Sequence, residues 1–81
     1  MDDETIRARI SALMEREHAL RARRADGSLS LEAEQAELRT TEQELDQCWD
    51  LLRQRRAKRE FGEDADDADP RATSTVEGYL Q

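Results

Sequence analysis

Leucine recurs at Leu31, Leu38, Leu45 and Leu52, each seven residues from the last, and no feature of the chain limits its fold more. Residues seven apart fall on one stripe of an α-helix, and an apolar stripe of that period is the seam of a coiled coil. A second stripe precedes it. Ile6, Ile10, Leu13 and Leu20 follow steps of four, three and seven, which keep one helix face apolar. Between the stripes lies Asp26-Gly27-Ser28. Gly27 suits the left-handed residue that closes a helix, and Ser28 or Ser30 suits the cap of the next.

These signals predict a first helix over about 3–25, a turn over 26–30 and a second helix over about 31–60. Asp2, Asp3 and Glu4 favour a helix N-terminus, and Arg21, Arg23 and Arg24 favour its C-terminus. So short a turn sets the helices antiparallel and adjacent. Reflection about it brings Leu20 near Gln35, Glu17 near Leu38, Leu13 near Glu42, Ile10 near Leu45 and Ile6 near Trp49. The expected class is all-α: an antiparallel, coiled-coil-like hairpin over 1–61 and a flexible acidic linker and C-terminal tail over 62–81.

Composition bounds what such a hairpin can do. Its 81 residues are 36% hydrophobic and 41% charged, so one thin core is all the chain can build. Self-association into a dimeric four-helix bundle is the expected remedy. Cys48 is the single cysteine, which excludes an internal disulfide, a structural zinc site and a thioredoxin-like pair and fits a reducing compartment. The start, Met1-Asp2-Asp3-Glu4, is acidic where a secretory signal is basic, and no run of about 18 apolar residues exists to span a bilayer. A cytoplasmic location without membrane contact is expected.

The net charge of −7 hides two blocks. Arg53, Arg55, Arg56, Lys58 and Arg59 are basic, and Glu63, Asp64, Asp66, Asp67 and Asp69 follow directly. That asymmetry marks a segment boundary and an interaction tail. Overall acidity argues against a free-standing nucleic-acid binder.

The run Cys48-Trp49-Asp50-Leu51-Leu52-Arg53-Gln54-Arg55-Arg56-Ala57, with Glu17-His18 and the terminal Val76-Glu77-Gly78-Tyr79-Leu80-Gln81, resembles a family of small bacterial proteins classed as a domain of unknown function. The resemblance covers the whole chain. It implies a short helical cytoplasmic protein and supplies no catalytic residues.

Several side chains stand out as candidates. Glu17 occupies a stripe position where leucine would continue the pattern, so it is expected to set register or to pair with an arginine across a dimer. Glu15 and His18 form Glu-x-x-His, the pair that di-iron bundles use. Glu15 points away from the apolar stripe, however, and the motif arises readily in Glu-rich helices. It is a weak metal candidate, and no cofactor is expected. Trp49 is expected to cap the seam against Ile6, with Cys48 as a small apolar neighbour. Leu51 falls off the heptad and hints at a second contact surface.

Arg53, Arg55, Arg56 and Arg59 are expected to complement the helix end and the acidic start of the first helix, with phosphate binding as the alternative. Val76, Tyr79 and Leu80 lie at i, i+3 and i+4 and form one apolar face of a short turn, expected to order on a partner; the alternative is that the acidic linker folds back onto Arg53, Arg55, Arg56 and Arg59 and lays Tyr79 against the hairpin. The reading that results is a non-enzymatic protein–protein interaction module, with a nucleic-acid- or transcription-associated regulator as the alternative.

Overall fold

The computed structural model describes residues 1–80. Three α-helices and one 3₁₀ turn make up the molecule: α1 (Asp3–Ala25), α2 (Leu31–Glu60), the 3₁₀ turn Ala65–Asp67 and α3 (Thr73–Leu80). Gln81, the end of the expected tail, lies outside the described residues.

The helix ends follow from their residues. The Asp2 carboxylate accepts from the Thr5 N–H at 2.8 Å and the Ser30 hydroxyl oxygen accepts from the Ala33 N–H at 3.1 Å, so each long helix has a side-chain N-cap. Both end alike. Ser28 N–H donates to the Arg23 carbonyl after α1, and Glu63 N–H donates to the Lys58 carbonyl after α2. The residue before each donor is a glycine at positive φ, Gly27 at 82° and Gly62 at 73°, as this closing motif requires.

Packing of α1 on α2 buries Ile6, Ile10 and Leu13 against Cys48 and Leu51, with Leu45, Leu52 and Ala68 partly covered beside them. Each such large aliphatic side chain contributes roughly 1.5–3 kcal/mol on burial. Two expectations change here. Leu51 does not mark a second surface; it is 4% exposed inside the core. Trp49 does not cap the seam; it is 45% exposed, and Cys48 takes the place facing α1. Reflection about the turn fixes the height of a residue along its partner helix and says nothing of the face it occupies.

The tail departs from the expected flexible extension and takes the alternative course, folding back onto α2. Gly62 reverses the chain, the 3₁₀ turn packs on α2, and α3 packs on α2 as well. Self-repulsion of the acidic run is offset by α2's cations. Arg55 Nη1 donates to the Ala65 carbonyl at 3.1 Å and to Asp66 at 3.0 Å, and Lys58 pairs with Glu63 at 3.4 Å. Val76 is fully buried in the contact of α3 with α2, so it is ordered within the chain itself.

The result is a flat plate measuring 51 × 25 × 13 Å. No helix among the described residues is long and apolar enough to cross a membrane.

Candidate functional site

Two arcs of α2 carry different burdens. Thr41, Cys48, Leu51 and Arg55 form the buried arc, and Thr41 satisfies its own hydroxyl by donating to the Glu37 carbonyl at 2.8 Å. The heptad arc is the other. Leu38, Leu45 and Leu52 are half-buried, while Leu31 is 50% exposed. Trp49 continues this arc, since Leu45, Trp49, Leu52 and Arg56 follow steps of four, three and four. The tail covers the neighbouring buried arc and leaves this one open.

At its C-terminal end the open arc forms a concave site of about 250 Å³ between the hairpin helices, lined by Arg7, Trp49, Leu52, Arg53 and Arg56 among others. Arg53 joins Trp49 at i+4, and α1 contributes Arg7. Arg7 and Arg53 make no ion pair among the described residues. The other cations are engaged. Arg55 Nε meets Asp3 at 2.5 Å, Arg59 meets Asp3 at 2.9 Å, and Arg56 meets Glu60 at 3.0 Å. The Arg59 and Arg55 guanidiniums together hold the Asp3 carboxyl at about 2. The basic end therefore complements the acidic start of α1, as the charge pattern suggested.

Further toward the turn the same side of the hairpin becomes acidic. Glu17 accepts from Arg21 on its own helix at 2.8 Å, an i,i+4 pair within α1. Within the chain this pair gives Glu17 an arginine partner, with Glu34 and Glu42 close enough to raise Arg21's affinity for its proton after Glu17 itself. Glu15 and His18 are exposed, and no three His, Cys, Asp or Glu side chains among the described residues converge as metal ligands. Burial pushes the Cys48 thiol up, with nearby Arg9 opposing. A thiol so placed is a weak nucleophile.

The tail is held by a polar latch that sequence reasoning missed. Asp50, 4% exposed, accepts from the Tyr79 hydroxyl and from Gln54 at 2.9 Å and pairs with Arg71 at 3.4 Å. Arg71 also lies over the Tyr79 ring at 5.7 Å from its centroid, a cation–π contact. Gln47 donates to the Arg71 carbonyl at 2.7 Å and Gln54 to the Asp69 carbonyl at 3.1 Å. The signal was present: Gln47, Asp50 and Gln54 share a helix face and are uncharged or short, unlike the Arg and Glu around them. Leu80 points out, 51% exposed, and has no part in the latch.

One contact opposes it. Glu77 lies beside Asp46 and near Glu42, and the facing Asp46 carboxyl, then burial, raise its own carboxyl above the usual glutamate range. Its Oε1 is buried without a partner.

Comparison with known proteins places the chain among bacterial sequences. Residues 2–81 match the family described as Protein of unknown function (DUF2630). An uncharacterised protein of Mycobacterium tuberculosis strain H37Rv is 53% identical over 78 residues, which cover 96% of this chain and 88% of the relative. An uncharacterised protein of Mycobacterium bovis matches to the same extent. No solved structure matches the chain.

Proposed function

The chain belongs to that family of unknown function, whose description prescribes no activity, and from the geometry we propose that it is a non-enzymatic protein–protein interaction module working through the open heptad arc of α2. One observation carries the reading. A heptad seam long enough for a coiled coil is present, yet the chain's own α1 and tail leave Leu31, Leu38, Leu45, Trp49 and Leu52 partly or largely uncovered. An apolar helical stripe of that kind is what a partner helix packs against. Trp49 and its arginines add the residue types that dominate binding energy at protein interfaces.

Engagement of Arg55 and Arg59 by Asp3, and of Arg55 by Asp66 as well, turns two of the cations that a nucleic-acid-facing end of α2 needs toward the chain's own carboxylates. The interaction reading is therefore the stronger of the two expectations.

The test is photo-cross-linking in living cells. A cross-linking residue in place of Leu38 should yield discrete protein adducts, whereas the same residue at exposed Asp67, on the tail, should not. Adducts absent from position 38, or equal at both positions, would refute the assignment.

A further inference from the structure

The open arc carries its charges in two halves. Toward the C-terminus of α2 it is flanked by Arg53 and Arg56, with Arg7 beside them from α1; Asp3 at its edge is held by Arg59, and the Arg56–Glu60 pair is exposed on both sides, so Arg53 and Arg7 leave this end net basic. Toward the turn the flanking groups are Glu34 and Glu42, near the Glu17–Arg21 pair. Leu38, Leu45, Trp49 and Leu52 connect the halves. A face that is apolar along its middle, basic at one end and acidic toward the other is complementary to itself when one copy is turned end for end.

We infer that the occupant of this face is a second copy of the chain, packed antiparallel about a two-fold axis near Leu45 and Trp49. This rests on the interaction reading above and names its partner. Isologous packing brings each basic end over the acidic half of the other copy, and both copies gain the same contacts. A parallel arrangement sets Arg53 and Arg56 against themselves and Glu42 against itself, which like-charge repulsion disfavours. End-for-end antiparallel packing also lays the partly exposed heptad arcs of two copies against each other. The half-exposed indole of Trp49 moves into an apolar interface between two helices.

Sedimentation equilibrium and the fluorescence of Trp49, the only tryptophan, test this on the full chain. From low to high micromolar concentration the mass should rise from monomer to dimer while Trp49 emission shifts to the blue, and added salt should weaken the association. Arg53→Glu with Arg56→Glu should weaken it at least about tenfold, because acidic ends then meet acidic halves. Glu34→Arg with Glu42→Arg should do the same for the opposite reason. All four substitutions in one chain should restore the dimer, and this recovery separates lost complementarity from lost folding.

A monomer throughout the concentration range overturns the second copy as occupant. Adducts to a different protein from position 38 would then leave the interaction reading standing by itself. A dimer indifferent to both charge reversals, or one that the four-fold variant fails to recover, overturns the antiparallel face.

Discussion

Arg55 joins three parts of the chain that are distant in sequence. Its guanidinium meets Asp3 at the start of α1 and, in the tail, Asp66 and the Ala65 carbonyl. A guanidinium so enclosed must find acceptors or lose its hydration uncompensated, which explains why an acidic tail closes over it. The same grouping makes the fold sensitive to acid. Asp3 is held at about 2 by Arg59 first and Arg55 second, against a usual 3.8. The folded state thus binds its proton less tightly than the unfolded chain does. Its stabilisation is present above about pH 4 and is lost as pH falls toward about 2. Asp3→Asn should remove this part of the acid transition, seen as a shallower loss of helicity by circular dichroism over that window.

Glu77 behaves oppositely. Its carboxyl is raised by Asp46 and burial, so the folded state holds that proton more tightly and α3 docking strengthens as pH falls from neutral toward the ordinary glutamate range. Glu77→Gln should fix the docked α3 at neutral pH and flatten this dependence. Amide hydrogen exchange of α3, corrected for the intrinsic rate, checks both; equal protection in the variant and the parent at neutral pH would count against the repulsive contact.

At the scale of elements, α3 is the least secured helix. It has eight residues and one buried side chain, Val76, and a helix so short does not persist alone in water. Val76→Ala should cost about 1.5–3 kcal/mol of docking free energy and free the α3 amides to exchange while those of α1 and central α2 stay protected. The long helices were legible because local signals coincide there: apolar period, capping Asp2 and Ser30, closing Gly27. The expected spans and the observed Asp3–Ala25 and Leu31–Glu60 agree. The return of the tail was legible only as an alternative, from the opposite charges of the linker and the end of α2, and its particular contacts were not legible. It depends on pairs far apart in the chain, such as Asp50 with Tyr79 and Arg55 with Asp66, and each member looks like an ordinary solvated residue beside its sequence neighbours.

The site shows the same division. The heptad was visible, but its solvent-facing side was not. Leu51 and Cys48 face the covered arc because α2 has two neighbours, α1 and the tail, and the arc they bury is wider than a two-helix seam. Trp49 is thereby left outside with Arg53, a grouping that i, i+4 spacing encodes but pairing by height across the turn obscures.

For the whole molecule, the tail is a structural member of the plate. Ala68 packs on the cluster that contains Leu51, and residues of the 3₁₀ turn supply two acceptors to Arg55. Ending the chain after Phe61 should therefore do more than shorten it. Arg55 would keep Asp3 and lose its other partners, part of the Leu51 side of the core would meet water, and Asp50 would lose Tyr79 and Arg71. Uncovering one core leucine is worth roughly 1.5–3 kcal/mol, a large share of the margin that a chain this small commands. The shortened chain should melt well below the full one and bind more of a dye that reports exposed apolar surface, while retaining helical circular dichroism at low temperature. An unchanged melting temperature would show that the hairpin is self-sufficient and that the tail lies on α2 without contributing to its stability. A melt lowered equally by Tyr79→Phe with Arg71→Ala in the full chain would locate the contribution in the Asp50 latch, and a smaller effect would assign the remainder to the cover that Ala68 and the 3₁₀ turn place over Arg55 and Leu51.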